Sequence, residues 1–530
     1  MLGLSRSDGS RMQSVSGSWQ QAQQYEVAGA WDQARASYES ILAAEPDHVP
    51  ARLRMSRLEQ LAGRYAPSRQ HALRAADAVR LKASTRHIGF VSGRLMEFAD
   101  EAEAASVILG ADWNDPDVIR QSPSLAQHLW LAGRYEDALR FLDAIAQHAR
   151  HPLLAFTRAN VLRYLGDMAG AEREYEACLA MAPALADAHW ALSTHSRAQP
   201  ALSRVPRLQA AIERQNDPLA LAHLRYALFR EFDAAGETAQ AWESLSHGMA
   251  LMHARVRHDA VDEAARLHSL MQAPLALPAM PKPEPEGPWP IFVVGMPRTG
   301  TTLLDRILGN HGWVHSLGER NDFSAAVSEA SGRFFQSALH GDPLALMQSL
   351  DHARVGHLYQ QRIRLAARPV GRVTDKNPRN LFSIPMILQA SPQARVLCLR
   401  RDPMDACFSN LKELFQGDAY PYSYSIEDVA SHCRLAYRWM EHWQQAAPDR
   451  VRVVDYESLI DRPEAVAASL LEFLGLPAQE GVHDITRNLT PVSTASSSQV
   501  REGMHRRSIG AWKRYEMQLQ PLRERLEAPA

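Results

Sequence analysis

The chain has 530 residues, with 58 Lys and Arg against 60 Asp and Glu and a formal net charge of -2. So even a balance gives no broad nucleic-acid surface, any anion site has to be a local pocket, and the length predicts two or three domains. The four cysteines, Cys178, Cys398, Cys407 and Cys433, lack metal-like spacing and no apolar run reaches the membrane-spanning length of roughly 18 residues, which predicts a soluble cytoplasmic protein with reduced thiols and no membrane contact.

Residues 1–16 are polar and rich in Ser and Gly, which predicts a disordered start. From 17 to 273 the composition turns to Ala, Leu and Arg, and an internal period emerges. Gly29, Gly63, Gly133, Gly166 and Gly236 are each followed five residues later by a small residue and four beyond that by an aromatic or apolar one. Successive glycines lie 34, 70, 33 and 70 residues apart, so each long gap holds one degenerate copy of the unit. Pro46 and Pro183 close the two fullest copies. This period of about 34 to 35 residues resembles that of tetratricopeptide repeats. The resemblance implies stacked pairs of antiparallel helices, all-α, in which the glycine and the small residue let the helices approach closely. Such a surface takes a protein or peptide partner, with homodimerisation or shielding of the neighbouring domain as the alternatives. The stretch 274–290 holds seven prolines, which predicts a semi-rigid linker over 274–288.

From 289 to 530, strand-like runs at Ile291–Gly295, Arg372–Thr374, Ala394–Leu399 and Val451–Val454 alternate with helical patterns. Alternation of this kind predicts an α/β domain with a parallel sheet and a site at the carboxyl ends of its strands. The first strand runs into Gly295-Met296-Pro297-Arg298-Thr299-Gly300-Thr301-Thr302, the spacing of a phosphate-binding loop with Thr301 where the lysine belongs. That loss argues against nucleoside triphosphate hydrolysis. Gly295 permits a sharp bend, Gly300 permits close backbone approach to an anion, and the N–H groups of Gly300, Thr301 and Thr302 open the next helix toward it. Arg298 adds a guanidinium within the loop.

Further along come Gly318-Glu319, with His315 as a competing base, and Thr374-Asp375-Lys376-Asn377-Pro378, where a strand ends in a lysine. Arg401 follows the next strand, and Ser409 stands eight residues on in a helix. Tyr456 closes another strand. The segment Thr494–Tyr515 is basic, with Ser496, Arg506, Arg507, Lys513 and a Gly510-Ala511-Trp512 turn. In order and spacing these motifs resemble the sulfotransferases that use 3′-phosphoadenosine-5′-phosphosulfate (PAPS), most of all the tyrosylprotein branch, over nearly all of the second half.

The resemblance implies a P-loop-like sulfotransferase domain with PAPS as co-substrate and no metal. Glu319 would be the general base toward the acceptor hydroxyl, while Arg298, Lys376 and Ser496 stabilise the sulfuryl oxygens and leaving phosphate. Arg298, Thr299, Gly300, Thr301 and Thr302 would hold the 5′-phosphosulfate, Arg401 and Ser409 the 3′-phosphate, and Tyr456, Arg507 and Lys513 the rest of the cofactor. Trp512 would pack the C-terminal lid down. One departure leaves a third cation open: the branch has an arginine four residues beyond the serine, and this chain has Glu413 there, next to Lys412. The implied acceptor is a tyrosine of a protein or peptide, with a carbohydrate or small phenol as alternatives. A P-loop phosphotransferase and a scaffold with a dead catalytic domain are the rival classes.

Overall fold

The structure, a computed structural model, describes residues 6–528 except 83, 196–201, 281–287, 367–370, 416, 418 and 489–503. It divides into two compact units, Met1–Val161 with Ser324–Phe335 and Leu162–Phe323 with Gln336–Ala530. The division therefore falls within the helical region rather than in the proline-rich stretch 274–288, because the last helices of that region pack on the α/β part.

The helices run α1 Arg6–Val27, α2 Trp31–Ala44, α3 Val49–Leu61, α4 Tyr65–Lys82, α5 Ile88–Met96, α6 Glu101–Leu109, α7 Pro116–Leu131 and α8 Tyr135–Ile145. They continue as α9 Pro152–Leu165, α10 Met168–Met181, α11 Ala186–Ser193, α12 Val205–Glu213, α13 Pro218–Ala235, α14 Thr238–His253 and α15 Ala260–Gln272. Helix already occupies 6–16, where disorder was expected: Val15, Trp19 and Tyr25 pack on the core of α1–α3, with Trp19 5.4 Å from Tyr38, and α1 extends from that anchored turn.

Five of the hairpin turns carry the periodic glycines, all left-handed with φ from 70° to 96°. A Cβ added at Gly29, Gly63, Gly133 or Gly236 would meet nothing within 4 Å. The glycine therefore serves the turn, and the expectation that it permits close helix approach is corrected. Close approach falls to the small residue five positions on: Ala34, Ser68, Ala138, Ala171 and Ala241 are all fully buried. In the two degenerate copies the turn uses Ala99 (φ 54°) and Leu202 (φ 70°), at a cost of about 1–2 kcal/mol each, which is why the period fades there.

The α/β part contains β1 Trp289–Gly295, β2 Val314–Ser316, β3 Arg372–Lys376, β4 Arg395–Arg400 and β5 Val451–Asp455, all parallel in the order β2-β3-β1-β4-β5. Its helices are α16 Thr301–Gly309, α17 Asp322–Ser331, α18 Pro343–Ser349, α19 His352–Ala366, α20 Ile384–Ala390, α21 Pro403–Leu411, α22 Ile426–Ala446, α23 Tyr456–Asp461, α24 Pro463–Phe473 and α25 Gln520–Glu527. Strand β2 was not expected, since three residues that include His315 and Ser316 make no apolar run.

Strand β1 is central and buried on both faces. Ile291 and Val293 join a core with Leu304, Leu308, Leu470 and Leu471, while Phe292 points the other way, 5.7 Å from the Phe323 ring and 5.4 Å from that of Tyr359. Burial of each such side chain contributes about 2 kcal/mol. The register sets Val293 opposite Lys376, Gly295 opposite Leu399 and Arg400 opposite Asp455, so the strands end together on one side.

Asp375 is fully buried in β3, where it accepts hydrogen bonds from Tyr359 Oη at 3.0 Å and Asn380 Nδ2 at 3.3 Å. Burial, helped by the charge of Asp322, pushes its carboxyl up to about 8. The folded chain thus keeps a proton that the unfolded chain releases in the ordinary carboxylate range. This contribution to stability is fully present below about pH 4 and is lost as pH rises toward 8, by up to about 1.4 kcal/mol per pH unit. Asp375→Asn should flatten that slope, as measured by denaturant midpoints from pH 5 to 8.5; an unchanged slope would assign the pH dependence elsewhere.

Candidate functional site

The loop after β1 is shaped by close contacts. A Cβ on Gly295 (φ 151°) would lie 2.6 Å from Leu399 O, and one on Gly300 (φ 105°) would lie 2.5 Å from the Tyr456 ring. Between them Arg298 is itself left-handed at φ 68°, a strained conformation that its neighbours enforce. Thr299 Oγ1 donates to Met296 O at 2.7 Å, Asn410 Nδ2 to Pro297 O at 2.9 Å, and Arg401 Nη1 to Arg298 O at 3.2 Å. Helix α16 starts at Thr301 behind Gly300, which offers no side-chain cap, so its first N–H groups face the loop. Thr299, Thr301 and Thr302 are all buried.

At the end of β3, Lys376 is 1% exposed, and its Nζ donates to Glu319 Oε1 at 2.5 Å. Two motifs 57 residues apart are therefore one ion pair. Glu319 lies at the mouth, 39% exposed, and the lysine expected there is the buried partner. The Lys376 N–H also donates to Gly318 O at 3.0 Å. Asp305 on α16 lies beneath, buried, and accepts from Thr374 Oγ1 at 2.5 Å and Ser316 Oγ at 2.7 Å. Burial pushes its carboxyl above the usual range against the pull of Lys376. Ser316 Oγ in turn accepts from Gly318 N at 3.3 Å, so one buried carboxylate ties the ends of β2 and β3 to the helix after the loop. Sequence reading passed over Asp305, whose only signal is a charge inside the apolar run of α16. His315 stands within β2, opposite Val373.

Arg401, one residue past β4, is nearly buried. Its Nη1 lies 3.5 Å from Ser409 Oγ, its guanidinium lies 4.8 Å above the Tyr456 ring, and its Nη2 donates to Ser508 O. Tyr456 Oη pairs with Ser508 Oγ at 2.9 Å, and Gly510 N donates to Asp405 Oδ2 at 2.7 Å. The segment 504–515 thus folds over this corner. Arg507 and Lys513 are exposed on it. Its anchor is Tyr515 rather than Trp512: Tyr515 is 1% exposed, its ring lies 5.1 Å from Phe408, and its hydroxyl donates to Asp233 Oδ1 at 2.8 Å. Trp512 instead lies beneath the Arg523 guanidinium, at 4.8 Å. Ser496 lies outside the described residues.

Glu413, where the branch has a cation, faces an arginine of another element. Glu413 is buried, and its Oε2 stands 3.6 Å from Arg298 Nε and 3.5 Å from Arg230 Nη2 of α13. Lys412, half-buried, is pushed down to about 8 by burial and by the charges of Arg230, Arg298 and Arg401, with Asp233 opposing. Arg401 Nε is buried with no hydrogen-bond partner among the described residues. These features fit a ligand with two anionic groups, one at the α16 loop and one at Arg401 and Ser409. Among the described residues no cluster of three or more His, Cys, Asp or Glu side chains has a metal-holding arrangement.

Residues 290–480 match the Sulfotransferase family. The chain is 33% identical over 254 residues to an uncharacterized protein of Aquifex aeolicus (strain VF5), covering 45% of this chain and 32% of that one. It is 23% identical over 239 residues to a protein-tyrosine sulfotransferase of Drosophila melanogaster, covering 42% and 46%. A solved sulfotransferase domain from the curacin biosynthetic pathway aligns with a TM-score of 0.30 at 16% identity, over 43% of this chain and 91% of that one. The matches thus span from a third to about half of the length of these curated relatives. The α/β part carries a sulfotransferase-family domain.

A bound anion favours the charged form of Lys412, so above pH 8 binding must take up a proton. The affinity for adenosine 3′,5′-bisphosphate should therefore fall up to about tenfold per unit as pH rises from 8 to 9.5. Lys412→Met should remove most of that dependence in a calorimetric titration; an unaltered profile would take Lys412 out of the anion site.

Proposed function

We propose that this protein transfers a sulfuryl group from PAPS to an acceptor hydroxyl, and that the acceptor is a tyrosine of a protein or peptide. The observation that carries the reading is the Glu319–Lys376 pair at the strand ends beside an anion loop that lacks the triphosphate lysine. Sulfuryl transfer needs one group to take the acceptor's proton and cations to face the charge on the leaving side. PAPS, when bound, supplies an activated sulfuryl group on a phosphate leaving group. Arg298, Thr299 and the N–H groups of Gly300, Thr301 and Thr302 would hold its 5′ end, and Arg401 with Ser409 its 3′-phosphate. Tyr456 lines the cofactor site, with Arg507 and Lys513 on the covering segment.

Glu319 takes the acceptor proton. Its Oε1 is held by Lys376, which fixes the carboxylate's direction and leaves Oε2 to receive the proton. Once Glu319 is neutral its hold on Lys376 weakens, and the ammonium turns to the negative charge developing next to it. In this reading Ser496 assists the same charge.

The helical hairpins are read here as tetratricopeptide repeats that engage a protein or peptide partner or a second copy of the chain, a reading supported by the period and by the glycine turns. The tyrosine acceptor draws support from the likeness to a protein-tyrosine sulfotransferase. A cytoplasmic location, away from membrane and nucleic acid, is part of the same reading and draws support from four buried free cysteines and a net charge of -2.

Glu319→Gln should lower kcat for sulfation of a tyrosine peptide by about 10²–10⁴ while the affinity for adenosine 3′,5′-bisphosphate changes less than about threefold. Arg401→Ala should do the reverse, removing the thermal stabilisation by that nucleotide. Equal stabilisation by ATP with Mg²⁺ would turn the reading toward a phosphotransferase.

A further inference from the structure

Helix α13 belongs to the helical region, yet one of its faces lies against the site. Tyr226 Oη donates to Leu411 O at 3.1 Å, Arg230 meets Glu413 at 3.5 Å, and Asp233 Oδ1 accepts from Tyr515 Oη at 2.8 Å and Arg514 Nη1 at 2.9 Å. Steps of four and three residues make these three positions a single stripe. Arg230 is further fixed by the Trp190 ring of α11, 5.5 Å from its guanidinium.

Glu413 joins this stripe to the loop. The same oxygen, Oε2, stands between Arg230 of α13 and Arg298 of the β1 loop, and the carboxylate side chain is only 7% exposed. Two guanidiniums thus face one buried carboxylate beside the loop, and Asp233 is a further carboxylate that acts on Arg230. With Arg230 absent, the carboxylate would neutralise Arg298 alone and draw it away from an incoming anion.

We propose that Arg230 is a positioning residue of the anion loop: by sharing Glu413 it leaves the Arg298 guanidinium turned toward the 5′ end of the cofactor, so that helix α13 is part of the active site. The inference rests on the functional reading above and deepens it. The site is incomplete without Arg230, which lies 59 residues ahead of its first strand (289 − 230).

Charge arithmetic gives the test an unusual signature. In the full-length chain, Arg230→Ala should weaken binding of adenosine 3′,5′-bisphosphate about tenfold, measured by calorimetry. Arg230→Lys keeps the charge and should stay within about threefold of the parent. Glu413→Gln alone should not weaken binding, and Arg230→Ala combined with Glu413→Gln should return the affinity to within about threefold, a non-additive cycle that mere undocking of α13 would not produce. A double variant no better than Arg230→Ala, or an Arg230→Ala that binds like the parent, overturns the inference. Inorganic pyrophosphate is the second probe. The cycle seen with pyrophosphate in a chain that does not bind the nucleotide upholds Arg230 and overturns the PAPS reading.

Discussion

Positive charge that has been taken out of water must find negative charge at close range, and this site is built around that constraint. Lys376 is buried and meets Glu319, Arg401 is nearly buried beside Asp405, and Arg298 shares Glu413 with Arg230. The counter-ion of Lys376 sits at the exposed mouth, that of Arg401 stands 3.8 Å away, and one Glu413 oxygen faces both Arg298 and Arg230.

The fold was legible wherever a local backbone demand forced a residue choice. Five left-handed turns selected five glycines, and their spacing exposed the repeat. Where Ala99 accepts the same strain, the signal vanished while the α5–α6 hairpin remained. Strand β1 was legible because burial on both faces requires an unbroken apolar run, and β2 was not, since an edge strand of three residues needs none. The compact division near Val161 was out of reach for a related reason: it depends on which helices dock where, and no local composition records that.

For the site, legibility followed the strand ends. Arg298, Lys376, Arg401 and Tyr456 each sit at or just after the carboxyl end of a parallel strand, so a reading that found the strands also found the residues. Their pairings follow from strand order: β3 lies between β2 and β1, which brings Glu319 of the β2 loop onto Lys376. Contacts between Arg230 and Glu413, 183 residues apart, and between Asp233 and Tyr515, 282 apart, leave no such trace. An arginine on a repeat helix is ordinary in sequence and acquires meaning only from the face it turns to the loop.

Tyr456 spans the space between the α16 loop and Arg401. Its ring fills the space that a side chain on Gly300 would need, at the start of α16, and the same ring carries the Arg401 guanidinium at 4.8 Å. Its hydroxyl meanwhile reaches Ser508 of the covering segment at 2.9 Å. One rigid aromatic with two rotatable bonds thus touches the loop, Arg401 and the segment that folds over Arg401. A larger residue at 300 would push the ring, the ring would push Arg401, and the spacing between the loop and Arg401 would change. The absence of a side chain at Gly300 is therefore as specific a requirement on this site as the presence of its arginines.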